Sequence, residues 1–414
     1  MNSKNMFSKD FIMVVIGQII SLFGNAILRF ALPLYLLNET KSSALFGVVS
    51  ACSFLPMILL SPIGGILADR INKRNIIVIL DYFTAVLILV LTILLGKVNL
   101  VALLLVVLIL LYGIQGTYQP AVQASIPALI AEENLMPANA VINLVNSLAG
   151  LIGPVIGGAV FAFAGIKPIL VIGIVCFVCS ATMEIFIHIP FEKQKAEASI
   201  FAIAVQDMKE SLLFVKTEKP IIGKAALLIA GINLFLSTLI IIGLPTVVTQ
   251  MLGFSEMTGN RFYGYAEGAL AAGGLAGGML AGMLGKKMTI RNAHWLLVIC
   301  SLALLPMGAV LWLSVPAMAA YAVIVISCFF MMVASSMFSI QMMAYVQVVT
   351  PSHLVGKIMS LAMCICMIAQ PLGQAMYGIL FEELESYVAW LFWGAMVICG
   401  IIAAYSRKLF RILE

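Results

Sequence analysis

Long apolar runs separated by short polar stretches set the reading of this chain. The first runs from Phe11 to about Leu37 and is preceded by Lys4 and Lys9. Others fall near 44–68, 75–96, 99–122, 140–164, 168–190, 222–251, 262–285, 293–313, 316–346, 354–381 and 387–406. A helix needs about 20 apolar residues to cross a bilayer core. The pattern predicts an all-α integral membrane protein with twelve transmembrane helices. The first run is too long for a secretory leader, and further spans follow it.

Composition agrees. The chain has 414 residues, 63% hydrophobic and 10% charged, with a mean hydropathy of +1.13. A soluble domain averages about 45–50% apolar and about 25% charged. The net charge of +5 reads as loops facing a cytoplasm, not as a nucleic-acid surface. All eight cysteines lie in apolar segments. Cys176 and Cys179 have redox-motif spacing, but a thiolate in lipid is costly, so they read as packing residues. No zinc-site or secreted-disulfide pattern is present.

Basic residues give the orientation. With the N-terminus inside, 18 of the 23 Lys and Arg residues fall on inner loops and tails. Lys41, Lys97, Lys167 and Arg261 fall outside, and Arg29 lies within span 1. This asymmetry predicts that both termini are cytoplasmic. The chain divides into an N-terminal bundle (1–190), a linker (191–221) and a C-terminal bundle (222–414). In the linker Phe201, Val205, Met208, Leu212 and Val215 recur at helical spacing, while Gln206, Asp207, Lys209 and Glu210 face away. That is an amphipathic helix expected on the inner membrane surface. Its plain reading is a joint between two halves.

Between spans 2 and 3 stands GGILADRINKR, Gly64 to Arg74. Glycines let two helices approach closely. Asp69 is an acid at a helix end beside Arg70, Lys73 and Arg74. The stretch resembles motif A of the major facilitator superfamily through Gly65, Leu67, Ala68, Asp69, Arg70, Lys73 and Arg74. Asn72 stands where a second glycine is usual. The resemblance implies a cytoplasmic latch, and Asp81, a turn or two into span 3, is expected to pair with the Arg70/Arg74 cluster.

The halves repeat. Gly65–Asn75 aligns with Gly282–Asn292 at an offset of 217, and the same offset carries Pro154 onto Pro371. Parallel six-helix repeats fit this superfamily. Lys286 replaces Asp69 in the second copy, so an acid-dependent latch belongs to the first half alone. Span 5 carries Gly150, Gly153, Pro154, Gly157 and Gly158. This resembles motif C, the antiporter motif of exporters; tight packing is the plainer reading. Span 8 carries Gly274, Gly278 and Gly282. The resemblance implies that spans 5 and 8 meet across the halves.

The resemblance also implies a central cavity lined by spans 1, 4, 7 and 10, and polar stripes recur there. Gln18, Ser21, Asn25 and Arg29 share one side of span 1, and Tyr112, Gln115, Gln119 and Gln123 one side of span 4. Span 7 offers Asn233 and Ser237. Span 10 offers Ser327, Met331, Phe338, Gln341 and Tyr345. Polar groups in a span are expensive unless they meet water, substrate or each other, so interhelical hydrogen bonding is the alternative. Of 24 methionines, 18 lie from Met208 onward. Packing accounts for most, while Met331, Met342 and Met343 with Phe329, Phe330 and Phe338 suit a bulky apolar ligand.

Glu267, inside span 8, is the first candidate for a proton carrier, since hydrocarbon disfavours an ionised carboxyl. A salt bridge with Arg29 or Arg261 is its other reading. Arg29 is a second coupling candidate, or attracts an anionic group on a substrate. Glu184 and His188 read as an interfacial pair at the end of span 6.

No phosphate-binding loop, nucleophile–base pair or metal cluster is present. The chain is therefore expected to be no enzyme and to hold no cofactor. Helix 4 onward (GTYQPAVQASIPALIAEENLMPANA) and PLGQAMYGIL resemble the bacterial macrolide-efflux and siderophore-exporter branch, through an Ile126-Pro127 turn, Asn139 and Pro371-Leu372-Gly373. That implies multidrug-type efflux of a bulky, largely apolar compound by proton antiport, in a bacterial cytoplasmic membrane, by a functional monomer. The usual span 4 arginine is missing, since Val101 to Glu132 has no basic residue. Alternatives are export of an anionic siderophore or lipid-like molecule using Arg29, nutrient import, which motif C opposes, and a non-transporting receptor.

Overall fold

The computed structural model describes residues 9–131, 134–189, 200–284, 290–313, 315–351 and 354–411; of Pro62, Ile66, Asp69, Met136, 200–207, Gly356 and Ser360 it describes the backbone alone. Among them there is no strand. Twelve helices are long and apolar enough to cross a membrane. They are α1 (Lys9–Thr40), α2 (Ser43–Arg70), α3 (Lys73–Leu94), α4 (Leu100–Leu129), α5 (Leu135–Ala164) and α6 (Ile166–Glu184), followed by the shorter α7 (Ile200–Thr217). Then come α8 (Pro220–Met251) and α9 (Glu256–Leu284), α10 (His294–Trp312), α11 (Ala317–Val349), α12 (Val355–Glu383) and α13 (Val388–Arg411). The seventh to twelfth spans are thus α8 to α13.

Local chemistry places the ends. Asn72 caps α3, its Oδ1 accepting from Arg74 N at 3.0 Å; this is why an asparagine suits the site where glycine is usual. Asn99 caps α4 in the same way through Ala102 N. Gly165, at φ 71°, turns α5 directly into α6, a conformation that costs other residues.

Two boundaries differ from the sequence reading. Span 8 begins at Glu256, not 262, because Ser255 accepts from Thr258 N and starts the helix early. Arg261 is therefore helical. Span 4 runs on to Leu129, so Ile126 and Pro127 are not a turn but part of the helix. Pro127 removes one backbone donor there, a loss that a helix near its end tolerates.

The chain forms two compact units. The first comprises residues 1–40 and 52–200. In it α1 packs on α4, α5 and α6, and α3 on α4 and α6. Leu28, Leu32, Leu36 and Leu37 fill its centre with Ile88, Leu91 and Phe177. The second comprises residues 41–51 and 201–414. In it α9 packs on α11, α10 on α11 and α13, and α8 on α12. The first turns of α2 belong to this unit: Glu382 Oε2 accepts from Ser42 Oγ at 2.5 Å and Ala44 N at 2.9 Å. Within the second unit α7 buries Ser211 and Phe214, and Glu210 bonds Lys357 of α12 at 2.8 Å. The side chains of Phe201, Val205, Gln206 and Asp207, read as part of that helix's two faces, lie outside the described residues, as do 191–199. Many large apolar side chains of the spans point outward, such as Leu59, Ile79 and Leu302, as in helices that are apolar on every face.

The α8 helix is broken by two π turns, Asn233–Ser237 and Val247–Met251. The first carries both polar residues predicted for that span. A π turn inside a helix redirects side chains and is frequent at functional sites.

Candidate functional site

In the first unit α1 carries a column of polar side chains at spacings of three and four, all answered by neighbouring helices. Arg29 lies over the ring of Tyr112, 4.1 Å from its centroid. One turn earlier Asn25 Nδ2 donates to Gln115 Oε1 at 2.8 Å, and Gln115 Nε2 donates to Gln119 at 3.5 Å. A further turn back, Ser21 Oγ donates to Asp81 Oδ1 at 3.0 Å and Gln18 Nε2 to the Tyr118 hydroxyl at 2.7 Å. Tyr118 in turn donates to Glu184 Oε1 at 3.4 Å. Gln18, placed on a cavity wall by its stripe, is instead fully buried among these groups. Gln123 is exposed at the far end of α4.

Asp81 does not join the Arg70/Arg74 cluster. It is buried, with Ser21 as donor and Glu184 and Tyr118 as neighbours. Helix packing brings α1, α4 and α6 to it, whereas Arg74 lies two turns away along α3. Glu184 is equally not interfacial. It is 2% exposed, lying on the bare backbone of Gly17 with Tyr118 as its donor. Its partner by sequence, His188, instead donates its backbone N–H to Asp10 at 3.0 Å. Sequence reasoning passed over Tyr118, although it sits one turn from Gln115 and beside Gln119 on the same polar stripe.

Around the charged loop, the glycine that permits close approach is Gly64: a Cβ there would stand 2.6 Å from Thr117 Cα. Gly65 has open space around it. Lys73 starts α3, and Arg74 Nε is buried without a hydrogen-bond partner. The Asp69 side chain lies outside the described residues. On α5, Gly153 and Gly157 face α1, where a Cβ would meet Ala26 and Phe30. Gly158 is buried, Gly150 has nothing within reach, and Pro154 lies within the helix. On α9, Gly273 and Gly277 press on the α11 backbone, where a Cβ would stand 2.7 Å from the Phe329 carbonyl and 2.5 Å from that of Val333; Gly274 and Gly278 have ordinary side-chain contacts, and Gly282 has nothing within 4 Å.

In the second unit the π turn aims Asn233 at α12: its Nδ2 donates to the Cys366 carbonyl at 3.0 Å, and Ser237 Oγ donates to Asn233 Oδ1 at 3.3 Å. Met331 and Phe338 are core residues, 3% and 1% exposed. Gln341 and Tyr345 line a cavity of about 390 Å³ with Ala281, Met337, Ile340 and Ala344. Gln341 Oε1 is buried there without a donor, and Tyr345 packs edge-on to Phe410. Glu267 is hydrogen-bonded to Tyr263 one turn earlier and lies near Cys328 of α11. Among the described residues no cluster of His, Cys, Asp and Glu is large enough to hold a metal ion.

Comparison with known proteins places this geometry. The family model described as Major Facilitator Superfamily matches residues 14–374. Macrolide efflux protein A of Streptococcus pyogenes is 23% identical over 403 residues, covering 96% of each chain. Enterobactin exporter EntS of Shigella boydii is 29% identical over 160 residues, 37% of each chain. The crystal structure of a bacterial homologue of the iron transporter ferroportin in an inward-facing state aligns with a TM-score of 0.72 and 16% identity, over 97% of this chain and 99% of that one. At that identity the likeness concerns the fold.

Proposed function

Because the chain belongs to the Major Facilitator Superfamily, as a multi-pass membrane transporter and not an enzyme, we propose that it exports a bulky, largely apolar compound of the macrolide type in exchange for protons. The observation that carries this reading is the end-to-end match to macrolide efflux protein A. The polar column of α1 supports it: Arg29, Asn25 and Gln115 offer a few oriented polar groups within an otherwise apolar unit, the make-up of a site for a large apolar ligand. In the other unit Gln341 and Tyr345 line a cavity of their own, of about 390 Å³.

Transport runs by alternating access of two repeats, 1–190 and 222–414, joined by 191–221. The protein sits in a bacterial cytoplasmic membrane with both termini inside, as the Lys and Arg asymmetry supports. Asp69, Arg70, Lys73 and Arg74 form the cytoplasmic latch. It works as a monomer.

The test is a susceptibility panel in cells lacking other pumps, repeated with a protonophore. Macrolide resistance that the protonophore abolishes supports the reading; resistance untouched by it removes the proton. Asp69→Asn is expected to reduce efflux while macrolide binding persists.

A second reading has its own observation. The cationic head of Arg29 lies on the polar column, and the partial match to an enterobactin exporter favours an anionic siderophore-like cargo.

A further inference from the structure

Two carboxyl groups are buried together in the first unit, and their surroundings do not suit two negative charges. Asp81 on α3 and Glu184 on α6 are each almost wholly withdrawn from solvent. Each receives one hydroxyl donor, Ser21 to Asp81 Oδ1 and Tyr118 to Glu184 Oε1. Asp81 Oδ2 and Glu184 Oε2 have no hydrogen-bond partner. Ser180 lies within hydrogen-bonding range of both carboxyl groups and would hold either in its charged form were its single proton free. Its hydroxyl proton is committed to the Gly17 carbonyl at 3.0 Å, so toward a carboxyl its oxygen is free only to accept. Gln18 adds a third buried oxygen without a donor, Oε1, while its Nε2 is used on Tyr118.

The groups that face the pair are therefore Gln18 and Ser21 from α1, Tyr118 from α4 and Ser180 from α6. None is cationic. The α5 helix, which also packs on α1 and α6, has no ionisable side chain. The nearest ionisable groups on the packed elements are Arg74, two turns back on α3, Arg29, two turns beyond Ser21 on α1, His188, four residues beyond Glu184, Asp10, which holds the His188 backbone, and Arg70 of α2, two residues from the Ala68 that packs with Tyr118. Neither carboxyl group has an ion pair among the described residues.

Like charges at close range in low dielectric cannot both be ionised without a counter-ion. A proton removes the repulsion and supplies the missing donor, toward the partner carboxyl or toward Ser180. We propose that Asp81 and Glu184 share one labile proton and are the site that carries the coupling proton of transport. The proposal rests on the proton-exchange reading and moves the carrier from Glu267 to this pair. In each cycle one carboxyl O–H bond breaks, the proton passes to water, and the pair gains one negative charge; protonation from the opposite side of the membrane restores it. Tyr118 and Gln18 are positioning residues that hold Glu184 through one hydrogen-bonded chain.

Infrared difference spectroscopy tests the site without any substrate. Purified protein in lipid nanodiscs is taken from neutral to alkaline pH, and helix content by circular dichroism confirms that each variant is folded. The protonated-carboxyl band lost by the wild type is expected to be missing from the difference spectra of Asp81→Asn and Glu184→Gln and present in that of Glu267→Gln. A band unchanged in both pair variants and absent in Glu267→Gln overturns the proposal. Proteoliposomes with an internal pH dye separate the two levels of the argument, with erythromycin as the probe. If wild type couples erythromycin movement to protons and the Asp81→Asn/Glu184→Gln double variant does not, the pair is the carrier. If the double variant couples as wild type does, the pair is refuted and proton exchange stands. If wild type moves erythromycin without protons, proton exchange falls and the proposal with it.

Discussion

Glu184 rests on the bare backbone of Gly17: a methyl group at Gly17 would stand 2.7 Å from Glu184 Oε1 and 3.1 Å from its Cγ. The carboxyl has no room to retreat, because it is buried and held by Tyr118. Gly17→Ala is therefore expected to destabilise the protein by about 1–3 kcal/mol, the usual cost of overpacking. In a Glu184→Ala background the same change should cost less, with a coupling of about 0.5–3 kcal/mol between the two sites. Thermal unfolding of the four proteins in one detergent measures it; additive shifts would show that Gly17 and Glu184 are independent.

The same pair marks the limit of what sequence alone revealed. The twelve spans were legible because hydrocarbon demands about 20 apolar residues regardless of partner. The polar stripes on α1 and α4 were legible too, and they do meet, Asn25 on Gln115 and Arg29 on Tyr112. Partner choice was not. Proximity along the chain assigns Asp81 to the Arg70/Arg74 cluster, yet helix packing delivers Ser21 and Glu184 to it. Glu184 ends a span, a position that reads as interfacial, yet packing encloses it between Gly17 and Tyr118. On α9 the sequence singles out Gly274, Gly278 and Gly282, while the contact of Gly273 and Gly277 with the α11 backbone needs the packed helices to be seen. The π turn at Asn233–Ser237 leaves no trace in an apolar pattern, since it alters hydrogen bonding and not residue type.

The Arg29–Tyr112 contact gives a test of cargo. With the guanidinium 4.1 Å from the ring centroid, the aromatic face contributes about 0.5–2 kcal/mol to holding it. Tyr112→Phe keeps a ring and is expected to preserve transport; Tyr112→Leu should lower it. Arg29→Ala separates the two cargo readings: export of anionic compounds is lost and that of neutral macrolides retained if Arg29 binds an anion. Equal loss of both in a susceptibility panel would instead make Arg29 a structural member of the polar column.

Glu382 closes the start of α2, accepting from Ser42 Oγ and from Ala44 N. It acts as an N-cap supplied from α12, and a carboxylate there also meets the positive end of the helix dipole. Glu382→Ala should cost about 0.5–2 kcal/mol, the range for losing a cap. Glu382→Gln keeps an acceptor and loses the charge, so a smaller loss is expected. Hydrogen exchange in the first turn of α2 reads this directly: faster exchange at Ala44 in Glu382→Ala than in Glu382→Gln is the expected order, and equal rates would deny the cap its role.

The α7 helix is tied to α12 by Lys357 and Glu210, 2.8 Å apart but with side chains 34% and 46% exposed. Exposed ion pairs contribute at most about 1 kcal/mol and weaken with salt. The apolar contacts do more: Phe214 is buried, and Val215 packs where a Cβ at Gly223 would stand 2.9 Å from its Cγ1. Phe214→Ala is therefore expected to loosen α7 by about 3–5 kcal/mol, far beyond Lys357→Glu. Hydrogen exchange of the α7 amides should accelerate strongly in Phe214→Ala and little in Lys357→Glu. The swap of Glu210→Lys with Lys357→Glu should restore the wild-type rate at low ionic strength. Strong acceleration by Lys357→Glu alone, undiminished by salt, would mean that the charge pair and not the apolar face holds this helix in place.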